Sequence, residues 1–244
     1  MVTLETAASQ FAQDLGAIIN GTISSGIEFS ITPLEGTDLA WIQPSDSKPG
    51  KPKPIPILAG KAEGETPRLW LSVSFQVRLD GTNKYLAIQQ SFFSLVLDND
   101  TGHPAVRIEY ERDKGAEPDD GPSRGHRRSA AHVQIHGASE EIAFIQGLNG
   151  TKKLRGLDKF HIPVGGRRYR PTLEDFIEFI WMEELVVELH EGWRKVIDEH
   201  RKRWLQVQLK SAVRSDPESA ITQLTDMGYI ITVPATIVGS TEGN

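Results

Sequence analysis

The run LWLSVSFQVRL, residues 69–79, alternates without exception: Leu69, Leu71, Val73, Phe75, Val77 and Leu79 against Trp70, Ser72, Ser74, Gln76 and Arg78. Successive side chains of a strand point to opposite faces of a sheet, so this run predicts a long strand and excludes a helix, whose apolar stripe needs a period near 3.6. One face belongs to a core, and the other is expected to be mostly wet. Residues 80–83, DGTN, carry turn chemistry, and KYLAIQQSFFSLVLD returns as a second strand, which makes a long antiparallel hairpin. AVRIEYER, residues 105–112, alternates again, with Val106, Ile108 and Tyr110 inward and Arg107, Glu109 and Glu111 outward.

Before the hairpin, GIEFSIT and DLAWIQ read as short strands, and PSDSKPGKPKPIPI follows with five prolines, which forbid regular structure and favour an extended excursion. After residue 112, DKGAEPDDGPSRGHRRSA has almost no apolar content and reads as a mobile loop. The chain opens with an amphipathic helix over 3–19, its stripe formed by Leu4, Phe11, Leu15, Ile18 and Ile19 and its end near Asn20-Gly21.

From Thr172 the period changes from two to 3.6. Thr172 and Asp175 form a capping-box pattern after Pro171, and Leu173, Phe176, Ile177, Ile180 and Trp181 make a buried stripe. A second helix is predicted over 193–213, with Trp193, Val196, Ile197, Trp204 and Val207 inward. A third starts with Asp216 as N-cap and Pro217 at N1, and stops at Gly228. Strands first and helices last predict an α+β fold: an antiparallel β-sheet with an N-terminal helix and a C-terminal helical segment. The expected division is 1–171 and 172–244, packed as one continuous domain.

The 244 residues suffice for a substantial core, and the absence of cysteine removes disulfides, thiolate metal sites and a cysteine nucleophile together. No apolar run approaches the roughly 18 residues of a membrane span, and MVTLETAASQ lacks the basic region and apolar core of a signal peptide, so a cytoplasmic, membrane-free protein is expected. The net charge of −6 opposes indiscriminate coating of nucleic acid, while leaving room for a local basic patch.

Two stretches concentrate chemical potential. AAHVQIHG, 130–137, puts His132, Gln134 and His136 at alternate positions, and so on one strand face, with Val133 and Ile135 buried behind them. Paired antiparallel with residues 105–112, this strand would bring Arg107, Glu109 and Glu111 onto the same face, where a carboxylate fixes an imidazole tautomer for acid–base chemistry. A solvated sheet face has the same pattern. No cofactor is implied. A shared metal, with Glu109 or His161 as third ligand, is the weaker reading because no metal-binding spacing such as HExxH is present. His103 reads as a turn residue, His126 as part of the polar loop, and His190 and His200 as boundary or surface groups.

The second stretch, TKKLRGLDKFHIPVGGRRYRP, carries seven positive charges against Asp158 and leads into the helix start at Thr172, a combination that suits phosphate. Arg167, Arg168 and Arg170 are the candidate phosphate contacts, and Tyr169 a stacking platform or a packing anchor. Gly165-Gly166 matches neither phosphate-loop pattern and reads as a turn.

The succession VRIEYERD, AHVQIHG, KFHIPVGGRRYRPTLEDFIEFI, GWRKVI, RWLQVQLKSAVRSDP and MGYII resembles an uncharacterised family of actinobacterial proteins with an HxQxH strand and an HxPxGGRRxRP turn. The resemblance runs from Val106 towards the C-terminus and implies the same order of strands and helices. A fainter likeness, an acidic and aromatic strand before a paired-histidine strand, is to small toxins of the TumE type, and implies RNA cleavage or another toxic activity.

Two functions therefore stand side by side. One is an accessory protein that binds RNA, DNA or a nucleotide through Arg167, Arg168 and Arg170, with His132, His136 and His161 converging for metal-independent phosphodiester cleavage in a toxin or defence component. Whether it is an enzyme stays open, and the twin HxT/S motifs of two-histidine phosphoesterases are missing. The other is a non-catalytic protein-interaction module of a multi-component defence or mobile-element system, held to a protein partner by the proline-rich segment or the C-terminal helices. A concave pocket holding the three histidines favours the first, and histidines spread over a sheet favour the second.

Overall fold

A computed structural model of the chain describes residues 2–59, 66–97, 104–112, 130–137, 162–164, 170–186 and 188–232. The chain divides into two compact units, Met1–Ile197 and Asp198–Asn244. The first opens with α1 (Leu4–Thr22), continues with strands β1 (Phe29–Pro33), β2 (Ala40–Pro44), β3 (Ile55–Pro56), β4 (Leu69–Leu79), β5 (Leu86–Leu97), β6 (Val106–Glu111), β7 (Ala131–Ile135) and β8 (Ile162–Pro163), and ends with α2 (Leu173–Met182). Helix α3 (Trp193–Ser215) crosses from the first unit into the second, which also holds α4 (Pro217–Asp226). The fold is α+β, as the switch of period at Thr172 predicts.

The strands form one sheet in the order β1-β2-β4-β5-β6-β7-β8, with β3 paired to β4 beside this path, and every pairing is antiparallel. The β4–β5 hairpin is its longest pairing. Asp80 builds the turn: its Oδ1 accepts the backbone N–H of Lys84 and of Tyr85 at 3.0 and 3.1 Å, and Asn83 takes φ 53°. The register shifts once, so that Gln76 faces Gln90 but Val77 faces Ile88. The extra residue, Gln89, returns Ile88 to the core face and lets the QQ interruption in β5 coexist with the unbroken alternation of β4.

Both α1 and α2 lie on the apolar face. Phe11 of α1 meets Phe75 of β4 edge-on at 4.9 Å, Phe75 meets Phe93 of β5 at 5.5 Å, and Phe93 meets Phe176 of α2 at 6.0 Å. Leu15, Ile19, Leu71, Leu95, Leu173 and Ile177 complete this core, all fully buried. The predicted capping box exists: Asp175 N–H donates to Thr172 Oγ1 at 3.2 Å and Thr172 N–H to Asp175 Oδ2 at 3.1 Å. Asn20 ends α1 by clasping Ile27 from both sides, through Nδ2 to its carbonyl and Oδ1 from its N–H, each at 2.9 Å.

The chain after α2 docks on the end of α1, where His190 N–H donates to Thr22 O at 2.8 Å and its Nδ1 lies 3.1 Å from Asn20 O. Arg194 stacks on Trp181 and Trp193, 4.8 and 4.5 Å from the ring centres. In the second unit Asp216 caps α4, accepting Ser219 N–H at 3.0 Å; Ser219, through its hydroxyl and then its N–H, holds the Asp216 carboxyl below the usual range.

Four expectations are corrected. The polar face of β4 is not wet at its centre, since Ser72 and Ser74 are buried. The proline-rich segment contributes the short strand β3, because Ile55 pairs opposite Leu71 and buries its side chain. Val207 points to solvent at 52% exposure rather than inward, because α3 beyond Ile197 enters a unit in which nearly every side chain is exposed. His200 is buried rather than a surface group. His103, His126 and the loop over 113–129 lie outside the described residues.

Gly21, in the last turn of α1, faces Val196 so closely that a Cβ there would lie 2.9 Å from Val196 Cγ2. Alanine normally gains about 1 kcal/mol over glycine inside a helix. Here the clash with a stiff β-branched side chain reverses the sign, so Gly21→Ala should lower the urea midpoint. A raised midpoint would mean that α1 and the start of α3 are not in this contact.

Candidate functional site

The face of the sheet opposite the two helices carries polar side chains in two straight rows. Register aligns Ser72, Ser94, Arg107 and Gln134 across β4, β5, β6 and β7, and Ser74, Phe92, Glu109 and His132 beside them. The antiparallel pairing of β6 with β7 thus places Glu109 opposite His132, as the alternation of both segments predicts.

Four of these side chains close a network. His132 Nε2 lies 3.0 Å from Glu109 Oε2, and because a carboxylate only accepts, the ring nitrogen is the donor. Glu109 Oε1 forms an ion pair with Arg107, 3.3 Å from its Nε. Arg107 Nε also donates to Gln134 Oε1 at 2.9 Å, with Nη2 on the same oxygen. A negative group therefore lies between a permanently charged guanidinium and an imidazole, and the glutamine carbonyl completes the guanidinium's shell.

The outer rim is partly open, with Arg107 and Glu109 about one-third exposed, but His132 is 1% exposed and Gln134 is buried too. This departs from the expected burial: His132 and Gln134 are sealed, while His136 is exposed, Ile135 is 42% exposed and Val133 only half-buried. The physical reason lies in the two faces of β7. Its polar face is covered and hydrogen-bonded, whereas its apolar face lies far across the sheet from β4, where the core is densest, and at this end Ile135 and Ile162 remain open.

Among the described residues, three buried polar atoms on this face have no hydrogen-bond partner: Trp70 Nε1, Ser72 Oγ and Gln43 Nε2. Gln43 Oε1 takes Gly50 N–H at 3.2 Å, and Gly50, at φ 70°, lies against Trp41, so the proline-rich segment folds onto this side of β2. The serines and Trp70 were missed as site residues. A signal was present, because Ser72 and Ser74 stand where a solvated strand centre usually carries charge.

Of the other described candidates, His136 and Arg170 do not gather around His132. His136 lies past the end of β7 and is exposed, its N–H bonded to Ala105 O at 2.9 Å, and a step of four positions along extended chain puts it about 13 Å from His132. Arg170 is half-buried beside the start of α2, facing Glu174 and Tyr110. Tyr110 belongs to the core face, so Arg170 serves the side of the sheet opposite to His132. Burial pushes its pKa down to about 10, against the pull of the Glu174 charge, and the guanidinium stays protonated at neutral pH. His161, Arg167, Arg168 and Tyr169 lie outside the described residues.

Among the described residues no three His, Asp or Glu side chains are grouped to hold a metal ion, and no helix is long and apolar enough to cross a membrane. No family model matches the chain, and neither a curated protein nor a solved structure does.

Two predictions follow from these geometries. His132→Leu takes away the ring donor to Glu109 in a sealed place, and unfolding free energy should fall by about 1–3 kcal/mol; an unchanged denaturation curve would mean that the network contributes nothing. Arg170→Met alone removes the positive charge facing buried Glu174 and should cost about 3 kcal/mol, whereas Arg170→Met with Glu174→Leu should be close to neutral. A single Arg170→Met variant as stable as wild type would place Arg170 outside the fold's charge balance.

Proposed function

We propose that this protein is a non-catalytic protein-interaction module whose docking surface is the C-terminal helical unit. The observation that carries this reading is the exposed apolar surface of that unit. Leu205, Leu209 and Val213 on α3, Ile221 and Leu224 on α4, and Met227 at the C-cap of α4 are all open to solvent, and Ile230 beyond them is 94% exposed. Isolated exposed apolar side chains are ordinary, but a contiguous series on two helices marks a surface that another protein covers.

The histidine geometry supports the same reading. A base and an acid acting on one phosphodiester must each reach a proton at hydrogen-bond distance. His132 is sealed within its network, and His136 lies about 13 Å farther along the chain.

The test places a photo-crosslinking amino acid at Leu209 and, as control, at Lys84 in the exposed β4–β5 turn, in the full chain expressed in cells. Crosslinking to protein from position 209 and none from position 84 is expected, together with RNA left intact by the purified chain. RNA cleavage that disappears in His132→Ala, with the fold retained, would replace this reading by the nuclease one.

A further inference from the structure

Beyond Asp198 and Glu199 at its start, the C-terminal unit changes charge at Asp216. Residues 200–215 contain Arg201, Lys202, Arg203, Lys210 and Arg214 and no acidic residue, whereas 216–231 contain Asp216, Glu218 and Asp226 and no basic one. Each half carries its own apolar stripe at helical spacing: Leu205, Leu209 and Val213 at i, i+4 and i+8 on α3, and Ile221 and Leu224 at i and i+3 on α4, with Met227 beside them. An open groove of about 340 Å³ follows the stripe of α3, lined by Asp198, Arg201, Lys202, Leu205, Gln206 and Leu209.

The two stripes are complementary in charge and comparable in length. Leu205 to Val213 spans about 12 Å of helix, and the ten residues of α4 about 15 Å. They do not satisfy one another within the chain. Only Asp216 separates the end of α3 at Ser215 from the start of α4 at Pro217, and it is engaged as the N-cap of α4. Two helices packed antiparallel need a connection of about 2–5 residues, so a one-residue corner cannot fold α4 back along α3. Among the described residues α3 and α4 make no packed helix pair.

We propose that the unit pairs with the same unit of a second copy of this chain, the basic α3 of each protomer receiving the acidic α4 of the other. One two-fold axis forms both contacts, because a surface that carries both complementary stripes is complementary to itself after a two-fold rotation. Leu205, Leu209 and Val213 of one protomer then cover Ile221, Leu224 and Met227 of its partner, with the basic side chains of α3 facing Glu218, one turn before Ile221. This proposal rests on the reading of the unit as a docking surface and names its occupant.

Light scattering on the purified full chain at micromolar concentration and low salt should give the mass of two chains. Leu205→Glu with Leu209→Glu should give the mass of one, with circular dichroism unchanged because both positions are exposed. A chain carrying Lys202→Glu and Lys210→Glu, and a second chain carrying Glu218→Lys, should each be monomeric alone and form a heterodimer when mixed, since each reversed helix then meets its opposite across the pair.

A wild-type mass of one chain, a two-chain mass that persists in the double leucine variant, or reversed chains that stay monomeric on mixing overturns the proposal. A monomeric wild type that still crosslinks from position 209 to a different protein in cells overturns the self-pairing and leaves the docking reading standing. Monomeric protein with no crosslink overturns both.

Discussion

The fold depends on covering one face of one sheet. Phe11, Phe75, Phe93 and Phe176 form a continuous aromatic line from α1 through β4 and β5 to α2, joining elements from opposite ends of the chain. Each such contact adds about 0.5–1.5 kcal/mol beyond the burial of the rings, and the line only forms once the strands between the helices are paired. The core is therefore non-local, and the two helices must arrive on the same face. The bulge at Gln89 belongs to this requirement: without the extra residue, Ile88 and Phe93 would fall on opposite faces of β5.

With the apolar face committed to the helices, the other face is left to polar groups, and these are buried nonetheless. Arg107, Glu109, His132 and Gln134 answer the cost of that burial by bonding to one another across β6 and β7. The network is also a register lock. A slip of one residue would turn His132 and Gln134 onto the core face and set apolar side chains against Arg107 and Glu109. The imidazole–carboxylate pair that reads as an acid–base site in the sequence is a hydrogen-bonded pair in the folded chain, with His132 almost wholly buried.

The C-terminal unit follows a different economy. The fully buried side chains belong to the first unit, and in α4 no side chain is buried at all. Helices of this length gain most of their stability from packing an apolar face, and the exposed stripes of α3 and α4 draw none from it among the described residues. Asp216 starts α4 sharply after α3 and keeps the two stripes from closing on each other.

The strands and helices were legible in the sequence because each carries its own period: the alternation of Leu69–Leu79, the capping box at Thr172 and Asp175, and the Asp216-Pro217 start all depend on neighbours within a few residues. The opposition of Glu109 and His132 was legible for the same reason, since alternation in two strands determines which residues share a face once the strands pair. Burial was not. Whether the polar face of β7 meets water depends on what the rest of the chain lays over it, and alternation reads the same for a wet face and a covered one. Likewise the basic run before Thr172 reads as a single patch along the chain, yet the fold turns Arg170 towards Glu174 and Tyr110, on the opposite side of the sheet from His132. Local periodicity determined the elements and their faces; only tertiary packing decided which faces are sealed, because burial is set by residues far away in sequence.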